Sequence, residues 1–199
     1  MSIIDELTPA ALNSKLAFMN EHDQWVIEAN LSENTINWIA QNKNGKPLLV
    51  DAVSATKAPK VKNILNDIDV LKVNRDEASA ILHESGDDIY LAEALYKAGV
   101  QNVLLSQGPQ GAILYNKEGA IHKGAVKGNN ASDTGAGDAL FAGFIAARHY
   151  LKNAQDQLEF SIACATHTLN SRISVNPELS LDLIKKTFLS QLPKGAWHI

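Results

Sequence analysis

The residues best equipped for chemistry are Asp133-Thr134-Gly135-Ala136-Gly137-Asp138, which open a long apolar run from Ala139 to Ala147. Gly135, Ala136 and Gly137 carry little or no side chain, so their backbone N–H groups can crowd around an anion. A helix beginning there adds the positive end of its dipole, a combination that suits a phosphate. Asp138 falls in the first turn, where its carboxylate would repel that ligand. Taking a proton from an attacking hydroxyl is one reason for it to stand there. The plainer alternative is a glycine-rich turn followed by an acid that favours the dipole. Other phosphate motifs fit badly. No G-x-x-x-x-G-K-[ST] occurs, Leu140 stands where the dinucleotide fingerprint needs its third glycine, and the protein-kinase signatures are missing.

Two weaker patterns precede it. Asn74-Arg75-Asp76-Glu77 follows the apolar stretch Val70 to Val73. Taken alone it is a capping box, Asn74 accepting from an N-terminal amide while Glu77 reaches back. It equally suits Glu77 organising a magnesium ion or its waters, with Asn74 near nucleotide phosphates. Ser106-x-Gly108-x-x-Gly111 reads as a glycine turn between strands, or as a loop that a nucleotide approaches closely while Ser106 donates a hydrogen bond.

The elements that must position these residues follow from periodicity and punctuation. Thr8-Pro9 caps a helix striped by Leu12, Leu16 and Met19, and Trp25 to Ala29 forms a short strand. Ser32 caps a helix carrying Ile36 and Ile39, and Asn44-Gly45 turns the chain into the strand Leu48-Leu49-Val50, ending at Asp51. Helix is expected over 58–65, strand over 70–73, helix over 75–82 and 87–98, and strand over 103–106. A hairpin around Glu118-Gly119 and helices near 136–150, 154–171 and 180–191 complete the order. Strands alternating with helices imply an α/β fold with a mainly parallel sheet covered on both faces. Ligands then bind beyond the carboxyl ends of the strands, near Glu28-Ala29-Asn30, Asp51, Asn74 and Ser106-Gln107-Gly108. Asp51 could reach a metal's water shell there, although a solvated turn aspartate is the simpler expectation.

Composition sets the limits. With 199 residues, 45% hydrophobic content and a net charge of −4, the chain is most simply one globular domain, 1–199. Neither nucleic acid nor membrane is an expected partner. The single cysteine, Cys164, excludes an internal disulfide, and its apolar neighbours suit a buried thiol in a reducing, cytoplasmic setting. The first residues show no basic segment leading into an apolar core, so no signal peptide is expected. The six histidines lack metal-ligand spacing; His167 reads as a packed helical residue, the three tryptophans as structural, and Lys57, Lys60 and Lys62 as a solvated helix face.

Asn-x-x-Glu, then Ser-x-Gly-x-x-Gly, then Thr-Gly-Ala-Gly-Asp, in that order, resembles the ribokinase-like (PfkB) sugar and nucleoside kinases. The resemblance runs from the first helix to the last and implies a ribokinase-like three-layer sandwich. It is greatest towards the members acting on pseudouridine, through Leu7-Thr8-Pro9, Glu28-Ala29-Asn30-Leu31, Asp51-Ala52-Val53-Ser54 with Lys57-Ala58, and Asn176-Pro177-Glu178-Leu179-Ser180. It implies ATP and Mg2+ as cofactors and a nucleoside or sugar as substrate. Asp138 is then the general base on the substrate's primary hydroxyl, the 5′-OH of pseudouridine or a similar nucleoside, and Gly135, Ala136 and Gly137 form the anion hole. Glu77 serves the metal. Asn74, Ser106, Gly108, Gly111, Thr134 and Asn176 contact the nucleotide, and Asn30 lies near the substrate pocket. Ser132 stands where the family often has an acid that helps hold a monovalent cation, with Asp133 one step later, which counts against potassium activation. The family's initial segment, with lid strands and main sugar contacts, has no counterpart before Thr8. The expectation is therefore a fold truncated at the N-terminus, with an exposed sheet edge inviting homo-oligomers. A free-sugar kinase and a catalytically silent ATP-binding fragment are the competing readings.

Overall fold

The computed structural model describes residues 3–125, 135–169 and 175–188. It contains a six-stranded sheet in the order β1 (Trp25–Glu28), β2 (Leu48–Asp51), β3 (Val70–Asn74), β4 (Asn102–Ser106), β5 (Ala112–Asn116) and β6 (Gly119–Lys123). The first three strands are parallel, with Glu28 level with Asp51 and Asp51 level with Lys72. Lys117 and Glu118 alone connect β5 to β6, a link short enough only for an antiparallel pair. The chain divides into two compact units, one of residues 1–105 and 115–120, the other of 106–114 and 121–199.

In the first unit, strands β2, β3 and β4 run through the core: Leu48, Leu49, Val50, Val70, Leu71, Val73, Val103, Leu104 and Leu105 are all fully buried. Unbroken apolar runs of this kind are what a parallel sheet buried on both faces requires. Helices α1 (Pro9–Asn13) and α2 (Leu16–Met19) lead the unit, followed by α3 (Glu33–Asn42) after β1, with α4 (Arg75–Leu82) and α5 (Asp88–Lys97) between β3 and β4. Two expected caps are present, with Thr8 accepting from the Ala11 amide and Ser32 from Thr35, and Asp87 caps α5 by accepting from Tyr90.

Two expectations change in detail. The helix expected to carry Leu12, Leu16 and Met19 in one stripe is broken into α1 and α2. The Ser14 hydroxyl donates to the Ala11 carbonyl at 2.7 Å, the local side-chain bond through which serine competes with helix propagation. The helix expected over 58–65 is present, runs Ala58–Asp67 and is of the 3₁₀ type. At three residues per turn Ala58, Val61 and Ile64 fall on one face, and all three are buried.

The second unit is led by α6 (Ala136–Tyr150), α7 (Ala154–Leu169) and α8 (Leu181–Phe188). Ala147 and Leu151 pack with Phe160, Cys164 and Ile184 in one apolar cluster. The Ser161 hydroxyl donates to the Leu140 carbonyl and joins α7 to α6. Cys164 is buried as expected, and desolvation pushes its thiol pKa up to about 12. Thr134, Ser132, Asp133 and Trp197, which figure in the sequence expectations, lie outside the described residues.

Candidate phosphate and substrate sites

The glycine motif sits at a helix start. Gly135 is the N-cap of α6 with φ of 87°, a left-handed conformation that costs glycine nothing. The first intrahelical bond runs from the Ala139 amide to the Gly135 carbonyl at 2.9 Å. The amides of Ala136, Gly137 and Asp138 therefore have no partner within the helix, which is the condition for receiving an anion. Asp138 is exposed in that first turn.

The Ser106–Gly111 loop lies in the same unit. Gly108 to Gln110 make a short 3₁₀ turn, closed by the Gln107 amide donating to the Gly111 carbonyl at 2.8 Å. Gly111 adopts φ 100° and ψ −132°, and a Cβ there would lie 1.9 Å from the Lys123 carbonyl oxygen. Only glycine fits, because the backbone leaving β6 crosses directly over it. Gly108, by contrast, is exposed and faces open space. Asn176 ties its own segment together: its Nδ2 donates to the His167 carbonyl and its Oδ1 accepts from the Glu178 amide, both at 2.9 Å.

The first unit gathers the other predicted residues at the carboxyl ends of β1, β2 and β3. Asn74 and Glu77 form the full capping box: Asn74 Oδ1 accepts from the Glu77 amide, and Glu77 Oε2 accepts from the Asn74 amide, each at 2.9 Å. Glu77 Oε1 accepts from Asn74 Nδ2 as well, so both carboxylate oxygens are engaged. Glu77 is only 2% exposed. Burial raises its pKa, opposed by the Asn74 bond and by Lys72.

Asp51 is not the solvated turn residue expected from sequence. It is 6% exposed, and Lys72, 8% exposed, donates to its Oδ1 at 3.1 Å. The same oxygen accepts from the Val53 amide at 2.8 Å. The cause is register: Asp51 and Lys72 are partners across the β2–β3 ladder. Beyond Asp51 the chain bends sharply, the Ser54 amide donating to the Ala52 carbonyl with Val53 between them at φ 66°. That is a γ-turn of the strained, positive-φ kind, occupied by a β-branched residue.

The lysines after β2 are corrected too. Lys57 donates to Asn30 Oδ1 at 2.5 Å, and Lys60 donates to the carbonyls of Ala29 and Leu31 at 3.1 and 2.9 Å. Only Lys62 is exposed as the solvated-face reading required. Lys72, Lys57 and Lys60 are the polar residues that sequence reasoning missed. The one available signal was Lys72 in an otherwise apolar strand. Among the described residues no three acidic, histidine or cysteine side chains converge so as to hold a metal ion together. No described helix is long and apolar enough to cross a membrane.

The chain belongs to the pfkB family of carbohydrate kinases, whose family model matches residues 28–179. Pseudouridine kinase of Escherichia coli (strain K12) is 31% identical over 186 residues, covering 91% of this chain and 59% of that protein. A carbohydrate kinase from Agrobacterium tumefaciens has a similar structure, with a TM-score of 0.79 and 27% identity over 93% of this chain and 61% of its own. Arabidopsis thaliana ribokinase complexed with ribose and ATP matches with a TM-score of 0.78 and 21% identity, covering 88% of this chain and 58% of its own. The fold is thus ribokinase-like, and the chain spans about three-fifths of the length of these relatives.

Proposed function

We propose that the chain carries the nucleotide- and base-bearing part of an ATP-dependent phosphotransferase that phosphorylates the 5′-hydroxyl of pseudouridine or a similar nucleoside in the cytoplasm. The observation that carries this reading is the start of α6, where three amides without intrahelical partners stand beside an exposed aspartate. The identity to pseudouridine kinase over nine-tenths of the chain supports the substrate.

In this reading Gly135, Ala136 and Gly137 form the anion hole for the transferring phosphoryl group, with the Asp138 amide beside them, and the Asp138 carboxylate accepts the proton of the attacking hydroxyl. Positioning and electrostatic stabilisation supply most of the catalysis in phosphoryl transfer, so a cradle and a base are an adequate protein contribution. The Ser106–Gly111 loop receives the nucleotide where Gly108 leaves open space, together with Thr134 and Asn176. Asn30 contacts the nucleoside.

Magnesium, when bound with ATP, offsets charge on the phosphates. The donors of the first unit fit it through water: Asp51 and Glu77 are hard oxygen ligands, but both Glu77 oxygens already serve the capping box. Asn74 keeps that box intact and holds Glu77 in place.

The test is ADP release from ATP–magnesium upon adding pseudouridine, uridine or ribose to the purified chain. Turnover with pseudouridine that falls about 10²–10⁴-fold in Asp138→Asn, while ATP binding persists, is the expected result. Turnover with ribose alone points to a free-sugar kinase. ATP binding without turnover on any acceptor points to a silent nucleotide-binding chain.

A further inference from the structure

Lys57 and Lys60 reach back from the start of the 3₁₀ segment to the loop that follows β1, and their three side-chain hydrogen bonds converge on residues 29–31. Lys60 grips the backbone on both sides of Asn30, through the Ala29 and Leu31 carbonyls. Lys57 grips the side chain itself, its ammonium donating to Asn30 Oδ1 at 2.5 Å. On the other side, Asn30 Nδ2 donates to Glu28 Oε2, also at 2.5 Å. An amide between an ammonium and a carboxylate has one permissible orientation, because reversing it would set NH2 against NH3+ and C=O against COO−. Two charge-assisted bonds hold it there.

After these bonds Asn30 retains one N–H and one carbonyl lone pair. Asn30 is half-buried and Glu28 exposed, so the retained pair is not sealed in the core. A donor beside an acceptor, in fixed order, matches a ligand edge carrying an acceptor beside a donor, as an imide or two neighbouring hydroxyls do. Swapping the order would reverse the match. This chemistry depends on the lysine, since without Lys57 only the bond to the exposed Glu28 holds the amide and its carbonyl loses the partner that sets its direction.

We propose that Lys57, braced by Lys60, is a positioning residue that fixes the donor–acceptor polarity of Asn30 and thereby selects the nucleoside. The assignment rests on the proposed function through Asn30's contact with substrate.

The experiment compares the wild type with Lys57→Ala, Lys57→Arg and Lys62→Ala, the last being exposed on the same segment. Pseudouridine and ATP binding are measured separately by calorimetry, and KM and kcat where turnover is present. Lys57→Ala is expected to weaken pseudouridine binding about tenfold or more and to raise KM with kcat within about twofold. ATP affinity should stay unchanged, Lys57→Arg should recover most of the loss, and Lys62→Ala should match the wild type. In 15N-labelled protein the two Asn30 side-chain amide protons, identified by their loss in Asn30→Asp, should draw together in shift in Lys57→Ala. A folded Lys57→Ala protein that binds pseudouridine as the wild type does overturns the assignment and leaves the functional reading standing. So does an equal loss of ATP and nucleoside binding, which signals a merely structural lysine. A folded wild type that binds neither ligand overturns both.

Discussion

Lys72 places a positive charge among groups that water does not reach, and its value lies in what it neutralises. Asp51 is paired to it directly, and Glu77, raised by burial, is drawn back by the same ammonium. Removing one partner of a buried ion pair leaves the other charge uncompensated, at a cost of about 3–5 kcal/mol. Lys72→Met should therefore lower the urea midpoint strongly, whereas Asp51→Asn with Lys72→Met together should recover part of the loss. Cys164 makes a second residue-scale prediction. A thiol held near 12 stays protonated in the folded protein at neutral pH, so a disulfide reagent should label it only at the rate of unfolding. Its folded value lies above the unfolded one of 9.0, so its contribution to stability is complete below pH 9 and is lost as pH rises towards 12.

At the scale of elements, the sequence showed most of the framework and little of the wiring. Strand runs such as Leu48 to Asp51 and helix starts such as Ser32, Asn74 and Asp87 were legible because periodicity and capping are local. The Asp51–Lys72 pair was not, because it depends on which residues of two strands lie level, and register is a long-range property. The Lys57–Asn30 bond was hidden for the same reason, being formed across 27 positions of sequence. The 58–65 helix was legible as helical but not as 3₁₀, because spacings of three suit both helices over one or two turns. Two substitutions test elements directly. Asn74→Ala should cost about 0.5–2 kcal/mol in denaturant unfolding, the usual value of an N-cap, and more if Glu77 loses its anchor. Gly111→Ala should cost about 1–3 kcal/mol or more, since its dihedral angles suit glycine alone and the added methyl meets the Lys123 carbonyl.

For the whole molecule, family membership and fold are established by a match over residues 28–179 and by likeness to ribokinase-type structures, while the chain spans about three-fifths of those relatives. The order of three weak motifs carried that reading in the sequence, since each alone has an ordinary structural explanation. The surroundings of Asn30, the proposed substrate contact, were less legible, because they are set by neighbours distant in sequence. The expected behaviour is that ATP–magnesium binding is more robust than turnover. The proposed phosphate cradle needs only one helix start, whereas phosphoryl transfer without hydrolysis requires water to be excluded from the reacting groups. Calorimetry on the folded chain should show ATP binding even if ADP release is slow or independent of acceptor. Failure to bind ATP would remove the basis for placing nucleotide at α6.

The kink at Val53 bears on how this protein could be improved by selection. Its backbone sits where a β-branched side chain is least at ease, yet its amide helps anchor Asp51. A library randomised at position 53 and screened for heat tolerance should enrich glycine and asparagine, which relax that torsion. If the proposed transfer activity is present and uses Asp51, the same library screened for that activity should retain stiffer residues, because a looser bend lets this carboxylate wander. The two screens should diverge at this one codon.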